Sequence, residues 1–436
     1  DRQRHDHQAE QDAQQIAQSV LTAVGELFAR LPQRVRYAIS YCGLATQRST
    51  VLSWNTNGDP ISPALNWQDT RGDKQLENLL KHSYEIKQIS GLPLSSHYGA
   101  SKLYWLMQNC KGEQDQIFGP LSSFLLSRIG NKLSNTVDHG NAQRMQLLDI
   151  ETGEWSQRLL DLFGLPITSL PECRPIYHDY GQLRGYGIPI TAINGDQNAA
   201  WFGQGATTVG TAMVNIGSGA FVLTAQQSET NVPELLSTIA YSDNTCRSYL
   251  LEATVNGAGN ALNWLCSNRG IVEYESHLQS ILEQIVNPPI FLNTVGGLGS
   301  PWWKSDLPPI FVNSAEHYST DAMIAGVCES ILFLIYRNIQ EMQKVQTVSE
   351  LQLCGGLSRV DMLCQKLANL SNLPIKRMND AESTIRGIAW IASGQPQGWD
   401  IANYDRFYPE TDTYLRSRFE LFIEQLGEYL ENSTDE

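Results

Sequence analysis

The chain has no CxxC pair among its eight cysteines and no HxxxH spacing among its eight histidines. That pattern supplies no structural zinc site, and cysteines inside apolar segments such as LQLCGGL read as reduced core thiols. A basic excess is also lacking. The formal net charge is −15 and the isoelectric point about 5.0, which argues against a nucleic-acid partner, because a phosphate backbone needs clustered Lys and Arg. No apolar run approaches the roughly 20 residues that span a bilayer. The opening DRQRHDHQAEQDAQQ has no signal-peptide core, so the expectation is a cytoplasmic chain without a membrane partner. A GxGxxG turn between a first strand and its helix is missing too, which removes dinucleotide-dependent oxidoreductases.

What is present is the composition of a globular protein, 42% hydrophobic and 18% charged over 436 residues, long enough for two domains with a cleft between them. Residues 11 to 31 place apolar groups at helical spacing, and RVRYAISYCGL then reads as a strand, with STVLSWN as its hairpin-like partner before the turn TNGDP. SKLYWLMQN and SSFLLSRIG read as helices. ITAINGDQNAAWFGQG reads as strand, turn and helix start, and TAMVNIGSGAFVLT as two strands around a Gly-Ser-Gly turn, with a domain boundary near 203–210. The second half continues as a helix in ATVNGAGNALNWL, a long helix from AGVCES to QEMQKV, the strand ELQLCGG, the helix SRVDMLCQKLANL, the strand PIKRM and the helix STIRGIAWIASG. Strands alternating with helices predict α/β layers in both halves.

Two glycine-centred turns, Gly217-Ser218-Gly219 and Gly355-Gly356, can bring backbone N–H groups close to an oxyanion, although such turns are commoner as plain corners. Asp196 and Gln197 follow a strand end, where α/β folds hold ligands, although on these residues alone capping the helix that follows is the commoner task for Asp196. Trp67-Gln68-Asp69-Thr70-Arg71, with Gln47-Arg48 before it, joins an aromatic face, amides, a carboxylate and guanidinium groups, a lining suited to a polyol; a surface ion pair between Asp69 and Arg71 is the alternative.

Taken in order, TQRSTVLSWNTNGDPISPALNWQDTR, GLPLSSHYGASKLYWLMQN with its Lys102-x-x-Trp105 core, NTVDHGNAQRMQLLDI, INGDQNAAWFGQG, VNIGSGAF, GGLGSPWW and LCGGLSR…STIRGIAWIASG resemble the FGGY carbohydrate kinases, glycerol kinase-like members above all. The resemblance implies two actin-like, ribonuclease-H-like ATPase domains with an interdomain cleft. Their expected extents are 1–205 for substrate and 206–400 for nucleotide, followed by a helical tail at 401–436. It implies ATP and Mg2+, a small polyol or sugar as acceptor, Asp196 as general base, and Arg48, Trp67, His97, Asp196 and Gln197 around the acceptor. Gly217, Ser218, Gly219, Gly259, Gly355 and Gly356 would hold the nucleotide. Members of the family are often dimers or tetramers, so a homo-oligomer is among the expectations.

The departures from the pattern are specific. Ser49 stands where glycerol kinases have Glu, His97 where they have Tyr, and Cys354 and Lys304 replace acidic residues, which puts glycerol itself in doubt as acceptor. The family's opening phosphate loop has no counterpart in these residues, so the first domain is expected to be short of strands and the chain as given catalytically poor. Either it is a portion of a longer protein or activity has been lost, and the retained remainder favours the first. A non-catalytic sugar- or nucleotide-binding protein on the same scaffold is the competing function.

Overall fold

In the computed structural model, the described residues are all except 1–2, 6–7, 111–114, 133–134, 204–209, 227–231, 273, 305–306, 313–316, 379–381, 398–403 and 434–436. Contacts divide the chain into two compact units, each discontinuous in sequence: 1–206 with 237–249 and 382–399, and 207–236 with 250–381 and 400–436. A single division at 205/206 describes neither unit fully, and both that point and the 400/401 boundary lie outside the described residues.

The first unit carries a five-stranded antiparallel sheet in the order Gln3–His5, Gln8–Gln11, Ala64–Leu65, Val51–Trp54, Ile117–Pro120. Val51–Trp54 is buried throughout, as befits an inner strand with both faces covered, and Trp54 packs edge-on to Phe124 at 5.9 Å. Each fully buried side chain of this size contributes about 2 kcal/mol. Separately, Cys42–Thr46 runs parallel to Ile190–Gly195. The expected hairpin between the first two strands is therefore absent: Cys42–Thr46 and Val51–Trp54 belong to different sheets.

Helix Ala13–Arg30 begins where predicted, with the Asp12 carboxylate accepting from the Gln15 N–H at 2.9 Å. RVRYA is a correction: it forms the short helix Gln33–Ala38. Pro32 presets its start, and Arg36 reaches back to the carbonyls of Leu31 and Ala29 at the end of the preceding helix.

The segment 237–249 is sewn into the first unit by side chains. Asn194 donates to the Ala240 carbonyl, Asn198 to the Ile239 carbonyl, Gln143 to the Ser237 carbonyl, and Arg144 to the Thr238 hydroxyl. Helix Ser383–Ala392 joins the same unit by lying on helix Asp196–Gly203, where Gly203 and Gly387 meet the opposing backbone too closely for any Cβ.

The second unit is built on strands in the order Arg247–Val255, Ala220–Ala225, Thr211–Ile216, Glu350–Cys354, Ile375–Met378, Tyr404–Phe407. The two central pairings, Thr211–Ile216 with Glu350–Cys354 and Glu350–Cys354 with Ile375–Met378, are parallel, and the others antiparallel. Residues of ATVNGAG expected as helix end the strand Arg247–Val255 instead, and the helix starts at Gly259.

Helix Thr320–Gln343 is long and apolar enough to cross a bilayer by length and composition, with mean hydropathy 1.5. This corrects the expectation that no segment qualifies. In the fold 89% of that window is buried, so its apolar length fills the core beside Phe291, Leu353 and Phe422. The residues 401–436, expected as a separate tail, belong to this unit through helix Thr413–Asn432. All eight cysteines are free, and five of them are buried.

Candidate functional site

The strands Cys42–Thr46 and Ile190–Gly195 end together, with Thr46 opposite Gly195 in register. Parallel strands present their carboxyl ends to whatever binds there, and the two chains leaving this point supply Arg48 and Asp196. Arg48 is buried, 7% exposed. Its stem lies against Gly195, where a Cβ would come within 2.6 Å of Arg48 Cγ, so glycine is required for this approach. Its Nη1 donates to Asn198 Oδ1 at 2.8 Å, and its Nε stands 4.0 Å from Asp196 Oδ1.

Asn198, fully buried, is locked in turn by donating to the Ile239 carbonyl at 2.6 Å. Sequence reasoning missed Asn198. The only available signal was a polar amide on the inward side of an otherwise apolar helix start. The Asp196 side chain stays 37% exposed and accepts from the Gln197 N–H at 2.8 Å, while its own carbonyl accepts from Thr384 Oγ1 at 3.2 Å. Its carboxylate thus touches the start of its helix and still faces outward, so capping and chemistry are not exclusive.

Trp67 and His97 form a second group, ring centroids 5.5 Å apart and tilted by 50°. Both are partly exposed. Asp69 and Arg71, offered as polyol lining or a surface pair, are neither. Asp69 is fully buried, accepts from the Ala9 N–H at 2.8 Å and is gripped by Arg71. Arg71 also pairs with Glu10 at 2.7 Å and lies over the Trp105 ring at 4.3 Å. These charges hold the 8–11 strand in place and leave no side-chain group for a ligand.

In the second unit the two glycine turns, 138 residues apart in sequence between Gly217 and Gly355, become neighbours because Thr211–Ile216 and Glu350–Cys354 are adjacent parallel strands with Asn215 opposite Cys354. The glycines separate by role. Gly219 and Gly259 are packing glycines, each with a carbonyl 2.9 Å from where its Cβ would stand, and Gly355 combines φ +92° with the Ile216 carbonyl at 2.6 Å. Around Gly217 the nearest atom to an added Cβ is 3.8 Å away, and around Gly356 there is nothing within 4 Å.

Gly217 and Gly356 therefore front open space, and Ser218, next to Gly217 in the first turn, is exposed. That cradle fits the phosphates of a nucleotide. The helices that follow the two turns contribute little through their dipoles: the Gly259 and Asn260 N–H groups donate to the Gly217 and Ser218 carbonyls at 2.9 Å, and a 3-10 turn, Gly356–Arg359, intervenes before helix Asp361–Ser371. Among the described residues no three acidic, His or Cys side chains cluster to hold a metal; Mg2+ characteristically relies on phosphate oxygens, water and one or two carboxylates.

If the Gly355-Gly356 turn holds nucleotide, Gly355→Val should weaken that binding, since the left-handed φ and the Ile216 carbonyl both oppose a branched Cβ. ADP titration is expected to show at least about a tenfold weaker Kd, and an unchanged Kd would remove this turn from the nucleotide site.

Residues 1–203 match the FGGY family of carbohydrate kinases, N-terminal domain, and residues 212–394 its C-terminal domain. A glycerol kinase of Rippkaea orientalis is 31% identical over 389 residues, covering 84% of this chain and 77% of the relative. One of Thermococcus kodakarensis is 30% identical over 402 residues, covering 87% and 80%. Among solved structures, Plasmodium falciparum glycerol kinase with ADP superposes with a TM-score of 0.84 at 22% identity, over 98% of this chain and 91% of that one. A ligand-bound xylulose kinase from Lactobacillus acidophilus gives 0.82 at 19%, over 99% and 91%. The fold is the two-domain, actin-like and ribonuclease-H-like ATPase fold of these kinases, and the chain belongs to the FGGY family of carbohydrate kinases.

Proposed function

We propose that this phosphotransferase moves the γ-phosphoryl group of ATP onto a hydroxyl of a small polyol or sugar, with Asp196 as general base. The observation that carries the reading is the partly exposed Asp196 carboxylate at the paired strand ends, 4.0 Å from a buried Arg48 that Asn198 holds in place. In this step the acceptor oxygen forms a bond to phosphorus, the bond from phosphorus to the β,γ-bridging oxygen breaks, the proton passes to Asp196 and ADP leaves. Mg2+ bound with ATP would neutralise charge on the phosphates. Arg48 and Gln197 orient acceptor hydroxyls, Trp67 and His97 supply an apolar wall for its CH face, and the Gly217-Ser218-Gly219 and Gly355-Gly356 turns take the nucleotide. ATP supply makes the cytoplasm the proposed place of action.

Ser49 points to an acceptor longer than glycerol. It is buried, 1% exposed, holds φ +62°, and its hydroxyl has no hydrogen-bond partner among the described residues. A non-glycine residue in the left-handed region costs roughly 1 kcal/mol and tends to persist where function requires it. Serine is smaller than the glutamate that glycerol kinases carry at this position, and its uncommitted hydroxyl beside Arg48 in sequence favours an acceptor with a further carbinol group.

The test is ADP release by protein from the full reading frame over glycerol, erythritol, xylulose, ribulose and sedoheptulose. Turnover on a four-carbon or longer acceptor in preference to glycerol is expected. Ser49→Glu should then move the ratio of kcat/KM values toward glycerol by about tenfold. Binding of a polyol without ADP release in any case would instead support a sugar-binding protein.

A further inference from the structure

Lys102, in helix Gly99–Asn109, is 0% exposed and among the largest fully buried side chains of the molecule. A buried ammonium is costly unless it is paired and hydrogen-bonded. Its Nζ donates to the His97 carbonyl at 2.7 Å and to the Ser96 carbonyl at 3.2 Å. The negative charges that act on it are Asp69 and Asp73, and Asp69 is already engaged by Arg71, which also pairs with Glu10. Burial outweighs their attraction and pulls the ammonium down to about 7.

Burying the ammonium carries a desolvation cost that the two carbonyls and the nearby carboxylates offset only in part. What the ammonium supplies is a grip on one turn. That turn, 95–98, is otherwise closed by the His97 N–H to Ser95 Oγ and the Tyr98 N–H to the Ser95 carbonyl, at 3.2 and 3.3 Å. It carries the His97 ring that stands 5.5 Å from Trp67. The segment following Trp67 presses on the same helix, since a Cβ on Gly72 would meet Ser101 at 2.5 Å. Lys102 therefore sits where the supports of both rings converge.

We propose that Lys102 is a positioning residue for the acceptor site: two charge-assisted hydrogen bonds from its ammonium fix the 95–98 turn and keep the His97 ring against Trp67. The inference rests on the reading of Trp67 and His97 as the acceptor wall.

Wild type and Lys102→Met, both as the full chain, are compared by acceptor titration calorimetry, steady-state kinetics and thermal unfolding. The variant is expected to bind acceptor at least about tenfold more weakly, with kcat and the KM for ATP within about twofold. Its Tm should fall as well, because the Ser96 and His97 carbonyls lose this donor, so a loss of acceptor affinity at unchanged kcat is what separates positioning from stability alone. In the wild type the acceptor KM should rise severalfold from about pH 6 to about pH 9, as the ammonium becomes a weaker, neutral donor, and in the variant it should be flat over that range.

A folded variant with wild-type acceptor affinity overturns the proposal, as does a parallel fall in Tm, kcat and acceptor affinity. Should Lys102→Met fail to fold, the wild-type pH profile decides, and a flat acceptor KM overturns the proposal. A wild type that binds none of the acceptors brings down the acceptor-site reading itself, which separates that failure from one confined to Lys102.

Discussion

Asp196→Asn is expected to lower kcat by about 1,000-fold, the scale on which a positioned general base acts. Asn keeps the shape and can still accept from the Gln197 N–H, so the start of helix Asp196–Gly203 should survive, as should the carbonyl bond from Thr384. What disappears is a carboxylate able to take a proton. Acceptor affinity, measured by calorimetry, should change little, because Arg48 remains anchored by Asn198. The expected pattern is therefore a kcat loss with nearly constant acceptor binding. A variant retaining more than about a tenth of wild-type turnover would leave Asp196 as a helix cap and move the base elsewhere.

The second large effect concerns the core of the second unit. Arg418, 6% exposed, pairs through Nε with the buried Glu329 at 2.8 Å and donates to Asn287 Oδ1 and the Pro288 carbonyl. Arg418→Met leaves Glu329 with Lys366, at 3.5 Å, as its one cation among the described residues, and should cost about 3 kcal/mol in chemical denaturation, since breaking a buried pair exposes the full desolvation of the remaining charge. Burial already raises the Glu329 carboxyl against the pull of Arg418 and Lys366, and losing Arg418 raises it further. A carboxyl raised above its unfolded value stabilises the fold while protonated and loses that contribution as pH climbs through the raised pKa. The damage should therefore be smallest in acid and grow toward neutrality. Glu329→Gln added to Arg418→Met should recover part of the loss, and a single variant as stable as wild type at neutral pH would show that the ion pair contributes nothing.

Much of this was legible from residues alone where local pattern and tertiary demand agree. The apolar run ITAI followed by a polar strand end made Asp196 a candidate for either a cap or a base, with the base role coming from the family resemblance, and the Gly-Ser-Gly and Gly-Gly turns were visible as turns. That they adjoin was not, because parallel pairing between 211–216 and 350–354 leaves no local trace. RVRYA misled for a related reason. Val35 and Tyr37 favour strands, but the segment is exposed and has no strand partner, so a proline start and Arg36 capping decide its form. Asp69 and Arg71 looked like ligand groups because a buried ion network has the same residue types as a polyol site. Only burial and the Glu10 contact tell the two apart.

The chain returns to its first unit twice, at 237–249 and again at 382–399. During synthesis, at roughly 5 to 20 residues per second, a nascent first unit has neither the Ile239 carbonyl that steadies Asn198 nor the helix that covers Asp196–Gly203. The helix carrying the proposed base keeps an uncovered glycine face until helix Ser383–Ala392 has been made. A fragment ending at the family's first domain would inherit the same deficit permanently, so the unit that carries the proposed base is completed only once the residues through Ala392 exist.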